Sequence, residues 1–416
     1  MQKQTARDIG RSLLMGIGIG VLMALIFGAG FFARDFIHLR DSVAAAAGDS
    51  GYPLLDEVQG LIDRHYLREQ PSFTQREYAA IRGMLSSLND RFTFFIEPPV
   101  AASESDALAG TYGGIGVQVK RNEKGEIELY PYKDSPASKA GIVDGDLLRA
   151  INGTPLDPNT AQDAIDQMMR GEVKDGSGVK VTVTHATSGH DLTVFIPFAV
   201  IDVPSVTWRV LAEDSSIGYM QVSLFTGRTP DELKTAVQDL SAKHVQALVL
   251  DLRNNGGGLL QESVEVANEF IGSGPLAFED AKDGEQAFNA QTDALVTTLP
   301  LTVLVNDHTA SGAELVAGAL QDDQRGILIG QKTYGKGTVQ QIYPLTDGSS
   351  LHITAAAWLT PKHHALDQVG LQPDIALAPD AQGRDVELGE AVRYLQQKLG
   401  SSEATPEATV TAEAAS

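Results

Sequence analysis

Residues Leu301–Gln321 read LTVLVNDHTASGAELVAGALQ. The leading apolar run reads as a strand and the trailing segment as an apolar helix, so the chain is expected to turn abruptly from one to the other with Ser311 at the corner. Ser311 and Glu314 stand in S-x-x-E spacing, the capping-box pattern, in which a serine oxygen accepts an orphan backbone N–H at a helix start. A second reading makes Ser311 a nucleophile. The two are compatible, since one serine can end a helix and still expose its hydroxyl.

Working outward, composition narrows the classes. The chain has 416 residues, enough for two or three domains, with 43% hydrophobic and 21% charged residues. A formal charge of -22 argues against nucleic acid as a partner, because phosphate binding needs clustered Lys and Arg. With no cysteine, disulfides, thiolate zinc sites and cysteine nucleophiles are excluded. At the N-terminus, Lys3, Arg7 and Arg11 precede an uncharged segment, Ser12–Phe32. At about 1.5 Å per residue it reaches about 30 Å, enough to cross a bilayer core. The basic flank places the N-terminus in the cytoplasm and the rest of the chain outside it. Residues 12–32 are therefore expected to anchor the chain in a membrane; the small-residue run Val43–Ser50 keeps a cleaved signal as the alternative.

From Tyr52 to about Pro98 the text is helical in style, as in LLDEVQGLIDRHYL and REYAAIRGMLSSLNDRF. EPPVAASESDA then reads as a linker, with paired prolines and small polar residues. Between about Thr111 and Pro197 short alternating stretches read as strands, and NTAQDAIDQMMRG as a helix capped by Asn159 or Thr160. Beyond Ile201, strands such as VQALVLDL alternate with helices such as TPDELKTAVQDLSAKH, which predicts an α/β core. The closing SSEATPEATVTAEAAS is low-complexity and expected to be disordered.

Three separated stretches carry chemistry: VLDLRNNGGGLL (Val249–Leu260), NDHTASGAELVAGALQDD, and GQKTYGKGTVQQIYPL (Gly330–Leu345). Together they resemble the carboxyl-terminal processing proteases, serine peptidases of the tail-specific S41 type, and RGMLSSLNDRFTFF and YGGIGVQV extend the resemblance from about Tyr52 to Gln397. In that family's pattern a nucleophilic serine at a strand-to-helix corner is followed by a lysine in a T-F/Y-G-K-G turn and then by a glutamine. Ser311, Lys336 and Gln340 fall on those positions. The resemblance implies a multidomain α/β protein with a crotonase-like ββα protease core. Its expected parts are residues 1–50 as N-terminus, membrane anchor or signal, 51–98 as a helical region, 99–200 as an inserted PDZ domain, 201–398 as the protease core and 399–416 as the tail. No metal or other cofactor is expected, and a homo-oligomer is left open.

The residues support the chemistry separately. A serine hydroxyl is a poor nucleophile until a base takes its proton, and lysine serves only when neutral, which burial in apolar surroundings favours. Lys336 lies between two glycines, with Val339, Ile342 and Tyr343 nearby to exclude water; the competing reading is an exposed lysine in a hairpin turn. For Gln340 to reach Lys336 the chain must bend, expected at Gly337, because four residues of extended strand span about 13 Å. Acyl transfer needs oxyanion donors, for which the N–H groups of Gly312 and Gly257 are the candidates. Asp251 and Arg253 read as a structural ion pair. Three positions depart from the family pattern: Gly312 where Ala is common, Gly256 where Pro is common, and His363 where Gly is common.

The middle region resembles a PDZ domain. Tyr112, Gly113, Gly114, Ile115 and Gly116 match the loop whose N–H groups capture a C-terminal carboxylate, and the expected partners are proteins or peptides with free C-termini. The competing reading is a tight β-turn. Two other functional classes stand beside this one. An inactive scaffold acting as a PDZ adaptor or chaperone would bind tails without turnover. A trypsin-like protease with PDZ domains would need a Gly-Asp-Ser-Gly or Gly-Asn-Ser-Gly motif, and neither is present. Of the nine histidines, His308 lies nearest Ser311 in sequence and is read as a surface residue rather than a base.

Overall fold

The computed structural model describes residues 52–403 apart from positions 123, 158, 159, 292, 293 and 297. The expected anchor at 12–32 and the cap candidate Asn159 lie outside the described residues. Among the described residues no helix is long and apolar enough to cross a membrane.

The chain divides into two compact units, one ending at Ala79. In it α1 (Pro53–His65) starts on a proline, has Asp56 in its first turn and Arg64 and His65 in its last, an order that suits the helix dipole. The helix α2 (Phe73–Ser86) follows.

In the second unit β1 (Phe94–Ile96) leads into α3 (Pro98–Ala109), where the sequence was expected to form a linker. The prolines start this helix rather than break it: they occupy its first turn, where an N–H has no acceptor to lose, and Gly110 closes it in the left-handed conformation (φ 73°).

The β-rich domain contains β2 (Thr111–Gly114), β3 (Val117–Arg121), β4 (Ile127–Pro131), α4 (Pro136–Lys139), β5 (Asp146–Ile151), β6 (Thr154–Pro155), α5 (Gln162–Met168), β7 (Gly178–Thr184), β8 (Asp191–Pro197) and β9 (Ala199–Asp202). Its sheet runs β3-β4-β5-β7-β8, and a separate ribbon pairs β2 with β9, so chain entry and exit lie together. The core is aliphatic, built on Val119, Leu129, Ile165, Val181 and Ile196. Thr160 does not cap α5; the N-cap is Ala161, without a side-chain hydrogen bond.

The remaining core comprises β10 (Val206–Val210), β11 (Ile217–Val222), α6 (Thr229–Ala242), β12 (Ala247–Asp251), α7 (Leu260–Asn268), β13 (Pro275–Ala281), β14 (Gly284–Asn289), β15 (Leu301–Val305), α8 (Gly312–Asp322), β16 (Ile327–Gly330), β17 (Thr338–Pro344), β18 (Ser350–Leu359), β19 (Ile375–Ala376) and α9 (Val386–Glu403). Helix α9 takes in the start of the segment expected to be disordered. The main sheet has order β10-β11-β12-β15-β16-β19 and is parallel except at β10. Leu248, Leu250, Val303 and Val305 face the cluster that includes α6, α7 and α8, while Ala247, Val249 and Leu304 face Ala391 and Leu395 of α9. Burial on both faces is why β12 and β15 read as nearly continuous apolar runs, interrupted only by Asp251 and Thr302, instead of alternating ones. A second, antiparallel sheet joins β1, β18, β13 and β14, with β17 on the free edge of β18.

Candidate active site

Ser311 stands at the N-cap of α8, with six residues separating β15 from the helix. Its backbone sits at φ 54°, ψ −121°, a region disfavoured for any residue with a Cβ. The surrounding loop over-determines that conformation. Thr309 Oγ1 donates to Leu252 O (2.8 Å), Ala310 N to Asn255 O (2.9 Å) and Asn254 N to Asn306 Oδ1 (3.0 Å). These bonds tie the serine corner to the glycine-rich loop after β12. At Gly257 (φ 106°) an added Cβ would lie 2.8 Å from Ser311 Cβ, so this glycine permits the close approach.

The expected capping partner, Glu314, does more than cap. Its carboxylate is fully buried and accepts from Ser311 N (3.0 Å), Gly335 N (2.8 Å), Lys336 N (2.9 Å) and the Thr333 hydroxyl. A single carboxylate therefore fixes the main chain of the serine corner relative to the main chain of the lysine turn. The sequence marked Glu314 only through S-x-x-E spacing; its contacts beyond the helix come from residues about twenty positions further on and leave no local signal.

Lys336 precedes β17 and is half-buried. Burial pushes its pKa below the ordinary lysine value, and the charge of Glu104 pulls it partly back. The ammonium lies 5.3 Å from the centre of the Phe92 ring and donates to Gln340 Oε1. Gln340 Nε2 in turn donates to Phe92 O, which fixes the orientation of the amide. The required bend is present, but its place differs from expectation. The strand register shifts between Val339 and Gln340, a bulge, while Gly337 is needed because an added Cβ would meet Asp367 N at 2.0 Å. Phe92 and Glu104 are site residues that sequence reasoning missed; Phe92 lay within the RGMLSSLNDRFTFF resemblance without a role. In this conformation Lys336 Nζ bonds Gln340 and not Ser311 Oγ.

Of the two expected oxyanion donors, Gly312 begins α8 beside Ser311 and its N–H has no acceptor among the described residues. The Gly257 N–H is engaged, donating to Asn255 Oδ1 (2.8 Å), and the Gly257 carbonyl accepts from Phe225 N (2.8 Å). The expected pair of free donors is thus reduced to one here. The departure at 312 has a local cause: a Cβ there would fall 2.2 Å from Ser263 Oγ.

In the β-rich domain, Tyr112, Gly113 and Gly114 lie in β2, paired with β9, and Ile115 and Gly116 lead into the edge strand β3. The Ile115 N–H donates to Met169 O (3.2 Å), and a Cβ on Gly113 would fall 2.2 Å from Gly171 O. Gln162 Nε2, at the start of α5, donates to Val119 O (2.9 Å) of β3. The groove beside β3 is bridged at both ends by the protein's own groups.

The expected ion pair is found. Arg253 bonds Asp251 (2.6 Å) and Asp385 (2.7 Å), and Tyr219 donates to Asp251 Oδ2 (2.8 Å), bracing the strand end. His308 is exposed, with Asp307 as its charged neighbour at 4.0 Å.

Comparison with known proteins matches residues 216–377 to Peptidase family S41 and residues 129–174 to PDZ domain. A carboxy-terminal-processing protease of Bartonella bacilliformis is 34% identical over 382 residues, covering 88% of this chain and 86% of the relative. The carboxy-terminal processing protease CtpA of Bacillus subtilis is 32% identical over 340 residues, 81% of this chain and 71% of the relative. Among solved structures, the photosystem II D1 C-terminal processing protease is 30% identical, with 81% of this chain and 96% of that one covered and a TM-score of 0.46.

Proposed function

Because the chain belongs to the carboxy-terminal-processing proteases of peptidase family S41 and is thereby a serine endopeptidase, we propose that it cuts through a Ser311–Lys336 dyad. The observation that carries this reading is the buried Glu314 carboxylate, which brackets the backbones of both residues. Lysine depressed by burial has a larger neutral fraction near pH 7. Neutral Lys336 takes the Ser311 Oγ proton as Oγ bonds to the peptide carbonyl carbon. Negative charge develops on the carbonyl oxygen, toward the free Gly312 N–H. Collapse breaks the C–N bond, and the departing amine takes the proton from Lys336. Water then adds to the acyl-serine ester, its proton passing through Lys336 back to Ser311 as the ester bond breaks. Gln340 holds the lysine by its Oε1, and on this reading Nζ turns from Gln340 to Oγ for the proton transfer.

The PDZ domain selects substrates by their C-terminal tails, bound as a strand added to β3 with the carboxylate at Gly116 and at an Ile115 N–H that must first leave Met169 O. Support comes from β3 being an edge strand flanked by α5. The catalytic region works outside the cytoplasm, anchored through residues 12–32, a reading supported by the basic residues ahead of that segment.

The test is turnover of an unfolded protein with an apolar C-terminus by the detergent-solubilised full chain. Ser311→Ala and Lys336→Ala are each expected to lower turnover by about a thousandfold or more with melting retained. A K336A protein that keeps most of its activity overturns the dyad.

A further inference from the structure

The sheet that carries Gln340 brings a second pair of polar side chains alongside the lysine. In the hairpin of β17 and β18, Gln340 faces Thr354 and Ile342 faces His352, and His352 also faces Phe94 of β1. Opposed residues share a face, as do residues two apart on one strand, so one rung of about 7 Å along the strands separates His352 from the level of Gln340. Gln340 Oε1 accepts from Lys336 Nζ. His352 is 3% exposed, its ring stacks on that of Phe94 with centroids 4.5 Å apart, and its Nε2 donates to Glu104 Oε2 of α3 (2.9 Å). A buried imidazole fixed by its ring stack thus holds a carboxylate over the face on which the lysine lies. The other charged groups around Lys336 are placed differently. The Glu314 carboxylate accepts from main-chain N–H groups and the Thr333 hydroxyl, and Asp90 accepts from Phe92 N and the Thr93 hydroxyl. Asp367 meets Gly337 with its main chain, and the Arg91 guanidinium lies 4.5 Å from the centre of the Phe92 ring. Against the burial that lowers the Lys336 pKa, Glu104 is the charge that raises it.

We propose that Glu104, held by His352, is a positioning residue of the reaction: its carboxylate stabilises the ammonium that Lys336 becomes on taking the Ser311 proton. The inference rests on the Ser311–Lys336 reading. Burial that leaves the lysine neutral also makes its ammonium costly at the step where the proton leaves Oγ, and a fixed negative charge nearby offsets part of that cost. The proton passes from Oγ to Nζ and on to the departing amine, and Glu104 takes no part in carrying it. Glu104 is about one-third exposed, so solvent screens its field and the effect is moderate.

The pH dependence of kcat/KM separates this role from a merely structural one. Without the carboxylate, Lys336 gives up its proton at lower pH but is a weaker base toward Ser311 Oγ, so the two limbs of the profile move in opposite senses. The detergent-solubilised full chain is followed as it cuts an unfolded protein between about pH 6 and about pH 10. E104Q is expected to raise the acid limb by about two- to fivefold, to lower the alkaline plateau by a similar factor and to move the midpoint down. E104D, which keeps the charge, falls between E104Q and the parent. H352F keeps a ring on Phe94 but releases Glu104 to solvent, and its profile is expected to cross the parent's in the same sense by a smaller factor. E104Q limbs that fall together, or that match the parent's, with melting retained, overturn the inference. An H352F profile that superimposes on the parent's overturns the part given to His352. K336A is read alongside: if it keeps most of the turnover, the dyad reading fails and this inference with it.

Discussion

A methyl group at position 312 would meet Ser263 Oγ at 2.2 Å, so Gly312→Ala forces either α7 or the serine corner to move. The corner already holds a disfavoured backbone at Ser311, and the loss falls on kcat. G312A is expected to destabilise by about 1–3 kcal/mol, the usual scale of overpacking, and to lower kcat by about tenfold or more. The double variant G312A with S263A removes the offending oxygen and regains most of both, as read by melting and steady-state kinetics. Lys336 makes a prediction of opposite sign. Burial holds its pKa below the ordinary 10.5, so between the lowered value and 10.5 the unfolded chain binds more protons and stability rises with pH. Below that window the cost of the buried ammonium is carried in full. K336M is therefore expected to melt higher than the parent at pH 7 while losing turnover, and its advantage shrinks as pH approaches 10.5. The parent's kcat/KM rises with pH to a midpoint below 10.5. The placement of Ser311 at a strand-to-helix corner and of Lys336 in a glycine-flanked turn was legible because each sits in a short motif. Glu314's bridging was not, since its acceptors' donors lie on a turn distant in sequence.

At the scale of elements, composition misled where position mattered. Pro98 and Pro99 read as a break, yet in a first turn they start α3. Strands β12 and β15 were legible for the opposite reason: burial on both faces leaves a short, nearly continuous apolar run. The closure of the groove between β3 and α5 could not be read, because it is a side-chain contact, Gln162 Nε2 on Val119 O. A peptide strand joining β3 must take over that carbonyl. Q162A is expected to tighten binding of an apolar C-terminal peptide to the S311A protein by about two- to tenfold, the equivalent of one neutral hydrogen bond, in a fluorescence anisotropy titration. Equal or weaker binding shows that the tail does not use the Val119 carbonyl.

At the scale of the molecule, α3 ties the core to the β-rich domain. Gly227 N of the core donates to Leu108 O (3.0 Å), Val203 N after β9 donates to Gly110 O (2.9 Å), and Gly110 is followed directly by β2. A tail bound at Ile115 and Gly116 lies within a few residues of this helix. The anchor proposed at residues 12–32 lies outside the described residues, among which no helix is long and apolar enough to cross a membrane. The full chain is accordingly expected to sediment with membranes through a carbonate wash, whereas a chain beginning at Gly51 stays in the supernatant with its turnover intact. Exposure of the catalytic region to added protease on the outer side of the membrane is the second expected result. A mature N-terminus found between residues 43 and 50 replaces the anchor with a cleaved signal and is expected to leave turnover unchanged, because among the described residues the hydrogen-bond partners of the Glu314, Lys336 and Gln340 side chains all lie beyond Asp90.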